Sequence, residues 1–111
     1  MIKLIRTVRA EKPTEACQLA VKLTNYIKTN HNPNAIEVFV DRFAQNGHSI
    51  HWHIDFDNLA AFEKWQESLI DDQGYRGLLA EAEADKLFDP VTMCDLIQQR
   101  VDIALSSRTL N

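Results

Sequence analysis

The sequence predicts an α+β domain with the ferredoxin-like βαββαβ order, in which helices cover one face of an antiparallel sheet. Strand-like alternation and helix-like spacing follow one another in that order. An Asn46-Gly47 pair suits the hairpin between the second and third strands. The 111 residues, 45% hydrophobic and 25% charged, suit one globular domain. We expect a single domain over residues 1–105 and a flexible tail over residues 106–111.

The first strand and first helix are predicted from their periodicity. Residues 2–9 interleave apolar and polar side chains with a period near two, which is typical of a strand. Pro13 and Thr14 suit a helix start. Apolar residues then recur at three- and four-residue steps until the breaker at residues 30–34.

The remaining elements follow from composition. Residues 35–44 and 48–57 are rich in β-branched and aromatic side chains and predict the hairpin strands. Asp57 or Asn58 should cap a helix that is interrupted at residues 71–74. A second helical piece is expected from Gly77 to about Leu87. For residues 91–97 a last strand is favoured, with a helical turn continuing towards residue 105 as the competitor.

A two-residue turn at Asn46-Gly47 fixes which side chains share a face. It predicts the cross-strand pairs Arg42–His51, Val40–His53 and Val38–Asp55. The opposite face, turned towards the helices, would carry Phe39, Phe43, Ile50, Trp52, Ile54 and Phe56, with Glu37 and Asp41 as polar exceptions. A slip of one residue would instead place Glu37, Phe39 and Asp41 beside the histidines.

The stretch SIHWHIDFDN, residues 49–58, carries the candidate chemistry. His51, His53 and Asp55 alternate with apolar residues, so they share one face of a strand and are the catalytic candidates. An imidazole titrates near neutral pH, and a neighbouring arginine could hold a carboxylate or enolate. The expected ligand-binding residues are Arg42, Arg6 if strand one shows that side, Val38 and Val40.

Two alternatives stay open. The histidine face could be a dimer interface without chemistry, which would make the protein a non-catalytic homodimeric interaction module. Alternatively, His51 and His53 could chelate a metal, since a two-residue rise of roughly 6.6 Å lets same-face imidazoles converge on one ion. Asp55 lies roughly 13 Å along the strand from His51, so a third ligand is missing from the strand itself.

Residues 50–88, IHWHIDFDNLAAFEKWQESLIDDQGYRGLLAEAEADKLF, resemble the dimeric α/β-barrel superfamily, especially its NIPSNAP-like and antibiotic-biosynthesis-monooxygenase-like small proteins. The matching positions are Asp55 and residues 57–62, 72–78 and 80–88. The resemblance implies a homodimer whose two sheets close into a barrel with a lumen for a small molecule. The superfamily includes cofactor-independent monooxygenases, haem-degrading enzymes and lyases. The haem-degrading Asn-Trp-His constellation has no match here, so no cofactor is expected and no catalytic residue is carried over.

Composition limits the partners. The net charge of −4 disfavours nucleic acid. No segment suits a signal peptide or a membrane span, which predicts a cytoplasmic protein. Cys17 and Cys94 are expected to be buried thiols. His31 in the breaker and His48 beside the turn are expected to be solvated.

Overall fold

The structure is a computed structural model that describes residues 1–42 and 47–101. Its elements are β1 (Ile2–Ala10), α1 (Pro13–His31), β2 (Ala35–Val40), β3 (Ser49–Phe56), α2 (Leu59–Ile70), α3 (Gln73–Ala84) and β4 (Phe88–Gln99). The four strands form an antiparallel sheet in the order β2-β3-β1-β4, and the helices pack on one face of it. This is the predicted ferredoxin-like α+β arrangement. The predicted tail, residues 106–111, lies outside the described residues, as do Phe43 and Asn46.

The core lies between the sheet and the helices. Every second residue along β1, β2 and β3 points into this core, together with one stripe of each helix. The strand residues in between, on the other side of the sheet, are polar or at least partly exposed. Leu4, Val8 and Ile50 are almost completely buried at its centre. Trp52 and Trp65 belong to this core, as their apolar surroundings in the sequence indicate. We call the sheet surface on the other side, which the helices leave uncovered, the open face.

The junction between α2 and α3 differs from the prediction. Residues 71–74 were expected to interrupt the helices, with the second piece beginning at Gly77. Instead α3 begins at Gln73, because the side chain of Asp72 accepts a hydrogen bond from the backbone N–H of Tyr75 and caps the helix. Gly74, which was expected to interrupt the helix, lies in the first turn of α3, directly against the ring of Tyr26.

The last segment is a strand, and the helical alternative is wrong. β4 is also longer than the predicted 91–97, since it pairs with β1 from Phe88 onwards. An irregularity in the register accommodates Pro90, which has no N–H to donate to the ladder. Within the irregularity, the hydroxyl of Thr92 accepts a hydrogen bond from the backbone N–H of Arg9 at 2.9 Å.

The predicted register of the hairpin is wrong. The observed β2–β3 pairs are Ala35–Asp55, Ile36–Ile54, Glu37–His53, Val38–Trp52, Phe39–His51 and Val40–Ile50. The strands end earlier than predicted, and residues 41–48 connect them in place of a two-residue turn. Gly47 within this connection has a φ of +91°, a conformation that favours glycine.

Burial explains why the turn signal gave the wrong register. The observed pairing places the β-branched residues of β2 on the helix side, where Ile36 is only 4% exposed. The predicted pairing would have turned Glu37 and Asp41 into the core instead, and burying charged side chains without partners costs several kcal/mol. Apolar burial therefore outweighs the Asn-Gly preference. The observed register is shifted by three residues from the predicted one, and because three is odd it exchanges the faces of β2 as the one-residue slip considered as an alternative would.

None of the helices within the described ranges is long and apolar enough to cross a membrane.

Candidate functional site

The candidate residues lie on opposite faces of the sheet. His51, His53 and Asp55 are on the open face, as predicted. The expected ligand-binding residues are on the helix side: Val38 and Val40 pack against the core, Arg42 lines a small cavity beside them, and Arg6 lines a separate one under α3. The structure therefore does not combine the arginines and histidines in one lumen, and the two groups need separate descriptions.

The first candidate site is an apolar cavity of about 70 Å³ between the sheet and the helices, which we call the helix-side cavity. Its walls come from β1, β3, β4 and all three helices. Its lining residues are Arg6, Val8, Leu23, Ile27, Trp52, Ile54, Trp65, Tyr75, Leu79, Phe88 and Met93. Apolar walls with very few polar groups are typical of small-molecule sites, where the polar groups fix the ligand's orientation.

Among the described residues that line this cavity, Arg6 alone is charged. Its Nε and Nη2 donate to the two carboxylate oxygens of Asp95 on β4, at 2.8 and 2.9 Å. This hydrogen-bonded pair raises the pKa of Arg6 above its ordinary value, against the opposing effect of burial, and the nearby Tyr75 adds to the increase. The same pair lowers the pKa of Asp95. The guanidinium is thus held in place, with its Nη1 side left for other partners.

A second polar group in the wall has no partner. The indole N–H of Trp65 is buried, and no acceptor lies within hydrogen-bonding distance among the described residues. Leaving such a donor unpaired costs about 1–3 kcal/mol. An acceptor atom on a bound molecule could satisfy it, because Trp65 lines the cavity.

The second candidate site is centred on His51, on the open face. Its Nε2 lies 2.9 Å from a carboxylate oxygen of Asp41, and its Nδ1 lies 3.0 Å from the hydroxyl of Thr7 on β1. The carboxylate holds the proton on Nε2, which leaves Nδ1 to accept from the hydroxyl. A hydroxyl, an imidazole and a carboxylate thus form a continuous chain that can move a proton.

The other two predicted catalytic residues have different surroundings. His53 faces Glu37 across the hairpin, and its ring packs edge-on against Phe39 with the centroids 4.9 Å apart. Asp55 faces Lys3, whose ammonium lies 3.5 Å from a buried carboxylate oxygen that has no closer partner among the described residues. The three predicted residues therefore share a face without sharing a hydrogen-bond network.

Metal binding gains no support from this arrangement. Within residues 1–42 and 47–101, no three His, Cys, Asp or Glu side chains are grouped closely enough to hold an ion. His51 is already paired with Asp41, and the carboxylate of Asp55 is paired with Lys3. The third ligand that β3 itself lacks is not supplied by another side chain of the described residues.

The two remaining histidines and the two cysteines differ in part from their predicted surroundings. His31 was expected to be solvated, but its side chain is only 7% exposed and contacts Asp72 and Ser68. His48 is half-buried and lies 3.1 Å from the carbonyl oxygen of Asp41. Cys94, expected to be buried, is exposed on β4, whereas Cys17 is half-buried. The capping position of Asp72 is the only sequence signal that could have placed a carboxylate near His31.

Comparisons with known proteins support the fold. No protein-family model matches the sequence, and no curated protein matches it. An antibiotic biosynthesis monooxygenase of known structure has a TM-score of 0.66 and 15% identity, and the match covers 92% of this chain and 100% of that one. A NIPSNAP domain protein from Burkholderia xenovorans has a TM-score of 0.69 and 14% identity, covering 93% and 97% of the two chains.

A third solved structure also has this fold. A dimeric protein of unknown function with a ferredoxin-like fold, from Bacteroides fragilis, has a TM-score of 0.62 and 10% identity, covering 89% and 95% of the two chains. At such identities the likeness establishes the fold alone. It confirms, at the level of fold, the resemblance that residues 50–88 indicate.

Proposed function

We propose that this protein binds a small, mostly apolar compound in the helix-side cavity and holds a carbonyl or carboxylate oxygen of that compound against Arg6. The observation that carries the proposal is a guanidinium set in a wall whose other lining residues are uncharged and mostly apolar. A partly buried charge is retained when it is paired, and Arg6, whose side chain is 23% exposed, has the more exposed Asp95 as its partner. Its remaining N–H donors match the planar geometry of a carboxylate or enolate.

The walls restrict the ligand further. Aromatic rings of Trp52, Trp65 and Phe88 favour a flat body, and Tyr75 adds a hydroxyl near the polar end. The cavity of about 70 Å³ is smaller than the cavities of roughly 150 Å³ that take benzene, so as it stands it holds a short chain, and an aromatic ring needs additional space. A larger ligand would have to displace Met93, whose unbranched side chain is half-exposed and adaptable.

Thermal shift and calorimetry can test this with a matched set of probes: benzoate, benzaldehyde and toluene. Benzoate should raise the melting point most, because a ligand that binds only the native state stabilises it. Arg6→Gln should remove the preference for benzoate over toluene, and Asp95→Asn controls for loss of the ion pair. Arg42→Gln should behave as the parent, because Arg42 lies at another cavity. Equal responses of the Arg6 and Arg42 variants would refute the proposal.

For the open face we propose docking of a second copy of the chain. Phe39 and Leu96 are about half-exposed there, and Ile5 lies between them in the sheet. Polar groups on the same face, such as His51, already have partners within the chain and can be covered at low cost. The dimeric structure with the same fold also supports this assembly.

Analytical ultracentrifugation can test the dimer. Leu96→Asp should weaken association at least tenfold, because it buries a charge in the interface. Leu59→Asp is the matched control, since Leu59 is equally exposed but lies in the first turn of α2. The proposal fails if the parent sediments as a monomer or if the two variants dissociate alike.

A second candidate function is proton transfer in the lumen that two open faces would enclose. The chain from Thr7 through His51 to Asp41 favours it, with His53 next to it on the same strand. His53→Ala should then abolish binding of a carbonyl probe without dissociating the dimer. If that variant binds probes as the parent does and its dimer is weaker, the open face is an interface without chemistry.

A further inference from the structure

A third group of side chains lies away from both sites, where the C-terminus of α1 meets α2 and α3. His31 is the last residue of α1, Ser68 lies in the last turn of α2, and Asp72 caps α3. The Nδ1 atom of His31 is 2.8 Å from the hydroxyl oxygen of Ser68, and its Nε2 is 2.6 Å from a carboxylate oxygen of Asp72. A hydroxyl, an imidazole and a carboxylate are again in line.

Asp72 is held as a carboxylate by several donors. The hydroxyl of Tyr26 donates to it at 2.6 Å, and the backbone N–H of Tyr75 donates at 3.0 Å. These hydrogen bonds lower the pKa of Asp72 to about 2, and the one from Tyr26 has the larger effect. The carboxylate fixes the proton of His31 on Nε2, so the lone pair of Nδ1 faces Ser68.

Ser68 is accessible, although its histidine is not. The serine is exposed, and with His31 it lines an open cleft of about 460 Å³, which we call the α1–α2 cleft. The hydroxyl also lies 2.6 Å from the backbone carbonyl of Trp65 on its own helix. Its single proton can point to that carbonyl or rotate towards Nδ1, which needs no movement of the chain. Lys64, one helical turn before Ser68, brings a positive charge to the same cleft.

We infer that Ser68, His31 and Asp72 form a nucleophilic site that reacts with small carboxylic esters in the α1–α2 cleft. This site is independent of the ligand proposed for the helix-side cavity, because Trp65 separates the two spaces and lines both. The inference stands on the two short contacts of a buried imidazole and on the exposure of the serine hydroxyl to a cleft large enough for an acyl group.

The reaction follows from these contacts. The Ser68 oxygen forms a bond to the acyl carbon while its proton passes to Nδ1 of His31. The carbon–oxygen bond to the leaving alcohol then breaks, and the alcohol takes that proton. Water attacks the acyl-serine by the same route and restores the enzyme with release of the acid. Asp72 stabilises the imidazolium in both steps, and Lys64 offsets the negative charge that develops on the carbonyl oxygen.

A fluorophosphonate probe followed by intact mass spectrometry tests the site. The parent should gain one phosphonyl group on Ser68. Ser68→Ala should gain none, and Ser49→Ala, which removes a serine from strand β3, should react as the parent does. Loss of the base should slow labelling at least 100-fold in His31→Gln and strongly in Asp72→Asn, with circular dichroism checking that each variant is folded.

Three results would overturn the inference: an unlabelled parent, an adduct on another residue, or folded His31→Gln labelled at the parent rate. In each case the three side chains only hold the ends of α1, α2 and α3 together by hydrogen bonds. Hydrolysis of p-nitrophenyl acetate gives an independent readout, since an acyl-serine intermediate predicts a burst of one nitrophenolate per chain in the parent and none in Ser68→Ala. Benzoate at the helix-side cavity should leave the burst unchanged, so failure of one site is distinguishable from failure of the other.

Discussion

Substitution of Gly74 tests the packing of α3 against α1 most directly. A Cβ added at Gly74 would lie 2.6 Å from Cζ and 2.8 Å from Cε2 of Tyr26, and closer still to its hydroxyl oxygen. Overpacking of this kind costs about 1–3 kcal/mol. Replacing a helical glycine by alanine returns about 0.5–1 kcal/mol. Gly74→Ala should therefore lower the free energy of unfolding by roughly 0.5–2 kcal/mol.

The chain offers a matched control in the same helix. Nothing lies within 4 Å of a Cβ added at Gly77, so Gly77→Ala should stabilise the protein by about 0.5–1 kcal/mol. In a Tyr26→Ala background the obstacle is gone, and Gly74→Ala should become stabilising by a similar amount. Urea unfolding followed by circular dichroism measures all four variants. If Gly74→Ala stabilises the parent as Gly77→Ala does, the close approach of α3 to Tyr26 is wrong.

Substitutions at three other positions test the core and the charge network. The pKa of Asp72 is lowered from 3.8 to about 2 in the folded protein. The stability that its carboxylate contributes is therefore complete above about pH 4 and is lost as the pH falls towards 2. Asp72→Asn should flatten the pH dependence of the melting point between about pH 4 and pH 2. Thr24→Val removes the acceptor of the buried Trp52 indole N–H and should cost about 1–3 kcal/mol in urea unfolding, whereas Thr24→Ser should keep the hydrogen bond. Leu4→Ala should cost about 2–5 kcal/mol, and a loss below 1 kcal/mol would contradict its central burial.

The order of elements was predictable because each element has a local cause. Pro13 begins α1, the spacing of apolar residues marks its buried face, and Asn58 caps α2 by accepting from the N–H of Ala61. The last strand was ambiguous, because residues 91–97 are exposed on the edge of the sheet and carry little periodic signal. Its identity depends on pairing with β1, which is a contact between distant parts of the chain.

The partners of the candidate residues were harder to predict. Ser68 and Asp72 follow His31 by 37 and 41 positions in the sequence. Only the packing of three helix ends brings these side chains together. A histidine next to Asn32 and Pro33 has every local sign of a solvated loop residue. Local sequence therefore indicates where a helix stops, while the burial of its last residue is decided by the elements that pack over it.

The register between β2 and β3 decides which polar side chains share each face of the sheet. Because successive side chains of a strand point to opposite faces, a register shift by an odd number of residues moves every side chain of β2 to the other face of the sheet. In the observed register His51 has the carboxylate of Asp41 beside it, where the predicted one would have given it an arginine. The open face is thereby suited to holding and moving a proton, while the charge suited to an anion, Arg6, lies under the helices among apolar walls. The sheet itself separates the two kinds of chemistry, so a ligand bound at Arg6 cannot reach His51 of the same chain.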